Sequence, residues 1–384
     1  MNRTFWLAEI ERAFASRSIV WLSGVRRSGK TTLARSLPGA SYHDCELVRV
    51  RRALEDPELF FRERDREGRG PVVLDEVHRL ANPSEVLKVA ADHFPKLRVI
   101  ATGSSTLAAK EKFKDTLTGR KRDVWLVPMI ERDLVDFAAV DLDRRMVRGG
   151  LPPFFLATRL DDKDYEEWIA SYWAKDLSEL FVVDKKTAFI KFVELVLTQS
   201  GGLFEAQALA GPCEVSRPTI QHWLSILETT LLATVVRPYH GGTANEIKSQ
   251  PKVYGFDTGF VAYFRGWDSL RDDDRGQLLE HLVLGEIAAR FGTSRLHYWR
   301  DKQRHEVDFV LELGRRRDPV AIECKSAAAK FDPSALRAFR GKHPNGKNVV
   351  VTLKSTDAHT KRFGDVEVEF VPYVDFPEWL DARR

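Results

Sequence analysis

Cysteine is scarce in this chain of 384 residues. Cys45, Cys213 and Cys324 are all it has, widely spaced and without a CxxC pair. That excludes a disulfide framework and a cysteine-built zinc site, and it fits a reducing cytoplasm. Long apolar runs are missing too: none reaches the ~18 residues that a membrane span needs. The opening "MNRTFWLAEIERAFASRS" carries acidic residues and no apolar core of signal-peptide length, so secretion and membrane insertion are not expected. A charge surplus is also absent. Lys and Arg number 60 against 56 Asp and Glu, a net +4, so global charge names no partner, although Arg49, Arg51, Arg52 and Arg315 to Arg317 form local basic clusters.

What the chain has is length for more than one core, with no repeat or low-complexity tract. Near its start stands "GVRRSGKT", after the apolar run "SIVWLSG" and before "KTTLARSL". The run reads as a buried strand and the segment after it as a helix, so the glycines fall in the loop between. Gly24 and Gly29 let backbone N–H groups curl around phosphate oxygens; Lys30 is placed to reach the β- and γ-phosphates, and the Thr31 hydroxyl to ligate Mg²⁺. Arg27, Ser28 and Thr32 complete the expected ATP-binding set.

A metal carboxylate and a base should follow. "GPVVLDEVHRL" supplies both: Asp75 to hold Mg²⁺ and Glu76 to orient or deprotonate the attacking water. "LRVIATGSS" is a further strand ending in Thr102, Ser104 and Ser105, of which Ser104 is the favoured contact to the γ-phosphate or the water. In "TLTGRKRDVWLVP", Arg120 reads either as a charge-stabilising arginine acting on a neighbouring subunit's nucleotide or as part of a solvated basic turn.

"GVRRSGKT", "VVLDEVH", "IATGSS", "LTGR" and "RGGLPPF" together resemble the AAA+-like P-loop ATPases of the AAA_14 type, which carry a C-terminal DUF4143 region. The resemblance covers nearly the whole chain. It implies a doubly wound parallel α/β sheet with a helical lid that begins at "RGGLPPF", matching at Gly149, Gly150, Pro152 and Asp176. "PMIERDLVDF" departs from the family, which more often has a Leu-Ser-Phe run after the proline.

Beyond the lid, "EAQALAGPCEVSRPTIQHWLSILE" reads as a short helix, a turn at Gly211 and Pro212, and a second helix capped by Ser216 with Pro218 in its first turn. With "LLATVVRPY" and "PKVYGF" as wing strands this is a winged helix-turn-helix. Arg217, Thr219 and Gln221 are its candidate DNA contacts, with Ser216 and His222 nearby, unless the element serves only packing or protein contact.

Last come "GQLLEHLVLGEIAARF", read as an amphipathic helix bearing Glu280 and Glu286, and the strands "HEVDFVLEL" and "DPVAIECKS". Alternation sends Glu323 and Lys325 to one face. The set resembles the PD-(D/E)xK nuclease fold, a mixed α/β restriction-endonuclease-like domain. Asp308 and Glu323, with Glu280 less securely matched, are then candidate metal ligands and Lys325 the cation beside them. Cutting and a retained binding platform both stay open. His305 and Glu306 are read as neighbours, not ligands.

The expected organisation is a P-loop ATPase core (1–140), a helical lid (141–185), a winged helix-turn-helix (186–250) and a nuclease-like domain (251–384). The leading expectation is an ATP- and Mg²⁺-dependent motor on duplex or branched DNA, translocating or migrating branches in recombination or repair. It would act as a homo-oligomeric ring, a hexamer, without membrane contact. The alternatives are a nucleotide-controlled switch or defence ATPase binding a protein, and an ATP-gated metal-dependent nuclease.

Overall fold

The computed structural model describes residues 3–68, 70–103, 117–177, 185–240, 250–314, 317–353 and 357–384. Ser104, Ser105, Arg315, Arg316 and the side chain of Asp176 lie outside the described residues.

In the apolar run before the phosphate loop, alternate residues go to opposite faces of a sheet, and both faces are buried. Ile19 and Trp21 pack with Leu74, Leu87 and Ala101 on one side. Val20 and Leu22 pack with Trp6, Ile10, Leu33 and Ile100 on the other. Burial on both faces is what a parallel strand demands, and each large side chain so buried contributes about 1.5–3 kcal/mol. The sheet holds β1 (Ile19–Ser23), β2 (Ser41–Asp44), β3 (Val72–Asp75), β4 (Val99–Thr102) and β5 (Lys121–Trp125) in the order β2-β3-β4-β1-β5. Every pairing in it is parallel. The C-terminal ends Ser23, Asp75 and Thr102 therefore open onto one crevice, the ligand side of such a sheet.

The lid comprises the helices Leu142–Arg148, Pro152–Phe155 and Asp162–Tyr172, closed by a π-helical turn, Trp173–Leu177. Its aromatic residues join the largest core: Trp168 stacks on Phe256 at 4.9 Å, and Tyr165 on Tyr263 at 4.5 Å. The helix Lys186–Thr198 follows, then β6 (Gly202–Leu203), the helices Ala206–Ala210 and Arg217–Thr229, and the strands β7 (Ala233–Pro238) and β8 (Lys252–Gly255). Ser216 caps the second of these helices by accepting from the Thr219 N–H, and Pro218 stands in its first turn.

The remaining strands are β9 (Leu296–Arg300), β10 (Glu306–Leu311), β11 (Val320–Lys325), β12 (Asn348–Thr352), β13 (His359–Phe363) and β14 (Val366–Pro372). They do not form a separate sheet. β7 pairs in parallel with β9, giving one nine-stranded sheet in the order β13-β14-β12-β11-β10-β9-β7-β8-β6. The boundary expected at 250 thus falls inside the β7–β8 pair, because its outer edge is satisfied by a strand of the following region.

The helix Asp272–Phe291 also differs from expectation. It is buried nearly all round, at Leu278, Leu279, Leu282, Val283, Leu284, Ile287 and Ala288, instead of being amphipathic. The reason is its position between two cores: Leu282 and Ile287 pack into the large C-terminal core, and Ala288 packs with Trp6 and Val20 of the ATPase core. Glu286, fully buried, accepts the Glu131 N–H at 2.7 Å and the Arg290 guanidinium at 2.6 Å, tying the two cores together.

Candidate active site

Gly24 leaves β1 with φ +154°, and a Cβ there would lie 2.5 Å from the Leu126 carbonyl oxygen, so nothing larger fits. Gly29 takes φ +99° as the chain enters the helix Lys30–Arg35. Between them Arg27 is left-handed as well, at φ +63°. The loop is thus wound tightly. Lys30 Nζ donates to the Gly24 and Val25 carbonyls at 2.8 and 3.1 Å.

Beside the loop lies a cavity of about 360 Å³, lined by Gly29, Lys30, Thr31, Glu76 and, from the lid, Pro152 and Lys175. Next to it, Thr32, Leu33 and Ser36 face Phe137 and Leu156 across a more apolar space of about 540 Å³. The first suits phosphates and the second the flat face of a base.

Asp75 is the hub. Its Oδ2 accepts from the Thr31 hydroxyl at 2.8 Å and from the Tyr42 hydroxyl at 2.5 Å, while its Oδ1 accepts from the Thr102 hydroxyl. The same Thr102 oxygen accepts the Glu76 N–H at 3.1 Å. Of the hydroxyls at the end of β4, Thr102 therefore stands in the site, while Ser104 and Ser105 lie outside the described residues. Tyr42 was missed because nothing in "SYHDCE" marks it; only the pairing of β2 with β3 brings it to Asp75.

Glu76 takes φ +54°, a left-handed backbone for a residue with a side chain, costing of order 1–3 kcal/mol and typical of functional positions. Its Oε2 lies 3.1 Å from His78 Nδ1. Burial pushes its carboxyl up, but His78, Lys30 and Arg26 outweigh that and hold it below the usual carboxylate range. Glu76 is thus kept ionised beside the cavity, as a base must be. Thr31 and Asp75 fit Mg²⁺: a hydroxyl and a carboxylate at hydrogen-bond distance beside the phosphate loop.

Arg120 does not reach this crevice. Lys121 pairs with Ile19, so Arg120 stands at the far end of the sheet from the loop. There its guanidinium meets Asp92 at 2.7 and 3.1 Å.

In the C-terminal sheet, Lys325 Nζ lies 2.6 Å from Glu323 and 3.8 Å from Asp308, and Asp308 accepts the Cys324 N–H at 2.8 Å. Glu280 accepts from the Tyr254 hydroxyl at 2.7 Å. Burial, then the Asp308 charge, pushes the Glu280 carboxyl up to about 7 and that of Glu323 up to about 8. A second ammonium, not anticipated from the sequence, enters from β8: Lys252 Nζ stands 2.6 Å from Glu306 and 3.8 Å from Glu280. Among the described residues, no three His, Cys, Asp or Glu side chains are grouped to hold a metal ion. The expected ligand set of Asp308 and Glu323 with Glu280 is not formed here. Instead the ammonium groups of Lys325 and Lys252 stand among these carboxyl groups. His305 pairs with Asp301 at 2.8 Å.

Arg217, Gln221 and His222 are exposed and Thr219 half-buried, while Ile220, Trp223, Leu224 and Leu227 turn inward. Among the described residues, no helix is long and apolar enough to cross a membrane.

Three family models match in succession: an AAA domain, AAA_14, over residues 16–135; a domain of unknown function, DUF8612, over 139–271; and a second such domain, DUF4143, over 275–373. The middle one spans lid and helix-turn-helix together, so DUF4143 begins after them. Uncharacterised proteins of Mycobacterium tuberculosis and Mycobacterium bovis are each 30% identical to this chain over 345 residues, 87% of this chain and 75% of theirs. A crystal structure of a DNA replication initiation factor aligns with 63% of this chain and 84% of its own at 12% identity. Its TM-score of 0.22 supports no argument.

Proposed function

From the premise that this chain belongs to the AAA_14-type P-loop ATPases with a C-terminal DUF4143 region, we propose that it turns over MgATP to act on duplex or branched DNA, by translocation or branch migration. One observation carries the ATP part: Thr31, Asp75 and Thr102, from the loop and two strand ends, are joined by hydrogen bonds beside an ionised Glu76.

Thr31 and Asp75 are the residues that would hold Mg²⁺, which when bound sets positive charge against the phosphate oxygens. Lys30 exchanges its carbonyl partners for phosphate. Thr102 fixes Asp75 and, through the Glu76 N–H, the backbone from which Glu76 projects. Glu76 takes the proton of the attacking water, with His78 3.1 Å away to steady its charge.

The DNA part is supported by element order and exposure. Helix, strand, two helices and two strands follow one another as in a winged helix, and residues 241–249, between the two strands, lie outside the described residues. The second helix of the pair leaves Arg217 and Gln221 in solvent, where they have the chemistry for phosphates and base edges. Ring assembly belongs to the same reading: Arg120, far from its own loop and about one-third exposed, would serve a neighbour's nucleotide.

The test is ATP turnover with single-stranded, duplex and four-way-junction DNA, at low and physiological salt. Stimulation by DNA that weakens with salt is expected. Tight nucleotide retention with no response to any DNA would overturn the motor reading in favour of a nucleotide-controlled switch.

A further inference from the structure

Arg3 is 5% exposed, borders the apolar space beside Leu33 and Phe137, and reaches the carbonyl side of the phosphate loop at Ser28. Its Nε and one terminal nitrogen fork onto Asp133 at 2.8 and 2.5 Å, and Asp133 is wholly buried. Asp133 is itself fixed by the Trp6 indole N–H at 3.1 Å and the Ile130 N–H at 3.0 Å. With the fork so anchored, the remaining terminal nitrogen of Arg3 donates to the Ser28 carbonyl at 2.9 Å.

In a planar trans peptide the carbonyl and the next N–H point to opposite sides. Holding the Ser28 oxygen on the Arg3 side therefore turns the Gly29 N–H away from it, and among the described residues no carbonyl takes that N–H. Gly29 lines the phosphate cavity. A charge-assisted bond from a rigid, paired guanidinium is suited to hold such an orientation before any ligand arrives.

We propose that Arg3 is a positioning residue of the nucleotide site, which presents the Gly29 N–H to the β-phosphate without touching the nucleotide's reacting atoms itself. The proposal rests on the nucleotide-binding reading above and adds a requirement for one phosphate in particular.

The full chain, its Arg3→Lys variant and its Lys30→Ala variant are compared for ADP and AMP binding in magnesium buffer by calorimetry, and for steady-state ATP turnover. Arg3→Lys keeps a buried cation beside Asp133 but loses the fork that reaches Ser28. It is expected to bind ADP about tenfold more weakly and AMP unchanged, and to raise KM for ATP by a similar factor with kcat within about twofold. Should Arg3→Lys fail to fold, Arg3→Gln with Asp133→Asn replaces the ion pair by neutral amides and carries the same expectation. A folded variant with unaltered ADP affinity, or with ADP and AMP weakened together, overturns the proposal while Lys30→Ala still loses ADP. A parent chain that binds no ADP overturns the nucleotide reading and this inference with it.

Discussion

The Thr31 hydroxyl donates to Asp75 Oδ2 over 2.8 Å, so the end of the phosphate loop and the end of β3 meet at one carboxylate oxygen. Since Tyr42 and Thr102 converge on that same carboxylate, Asp75 is oriented from three sides. Thr31→Ala should therefore weaken binding of ATP in magnesium by ~10–100-fold and hardly change binding in EDTA. Isothermal titration in the two buffers checks this; equal losses in both would place the hydroxyl outside the metal's reach.

Asp257 anchors the lid. Its carboxylate, 2% exposed, accepts the Gly150 N–H at 2.6 Å and the Gly259 N–H at 2.9 Å, and a Cβ on Gly149 would collide with it. Asp257→Ala leaves two buried N–H groups without acceptors and should cost about 3 kcal/mol in a denaturant melt. Because Gly150 leads directly to Pro152 and Pro153 at the cavity, ATP affinity should fall in the same variant.

Two histidines make the chain sensitive to acid. Burial and then Arg64 hold His43 down at about 4, against Glu67, with Ser41 Oγ 2.8 Å from its ring. Burial also holds His281 at about 4, reinforced by Arg265 and Arg145 and opposed by the Gln277 carbonyl. The ordinary value is 6.5, so the unfolded chain takes up protons first as pH falls. Stability is complete above that value and declines between about 6.5 and 4. For His281 the loss at pH 5 should be about 2 kcal/mol. Chemical denaturation from pH 7.5 to 4.5 tests this, with His281→Gln expected to flatten the profile; an unchanged slope would contradict it.

Arg217→Ala should weaken DNA association across sequences and reduce the slope of log affinity against log salt by about 1, the signature of one lost phosphate contact. Anisotropy titrations at several salt concentrations measure both. Unchanged binding would return the Arg217–Thr229 helix to a packing role.

The phosphate loop and the acidic strand were legible because each is contiguous: the residues that must meet the nucleotide adjoin in the chain, and apolar runs mark the strands behind them. Tyr42 and Arg3 were not legible, since only strand order brings the first to Asp75 and only the burial of Asp133 fixes the second. Asp133 lies in "PMIERDLVDF", where the chain departs from the family it resembles, and that departure was the one available signal. The helix Asp272–Phe291 was misread because periodicity reports one buried face, whereas this helix meets a core on either side. Lys252 went unnoticed for a related reason. β8 was expected to serve only as a wing strand, yet its neighbour β7 pairs with β9, and from β8 the Lys252 ammonium reaches Glu306.

The most direct test compares ATP turnover and nucleotide retention in magnesium buffer for the parent chain and Glu76→Gln. Removing the ionised carboxylate while keeping its shape should leave ATP bound and slow hydrolysis by ~100-fold or more. Hydrolysis at the parent rate in Glu76→Gln would contradict the assignment of the base on which the account stands.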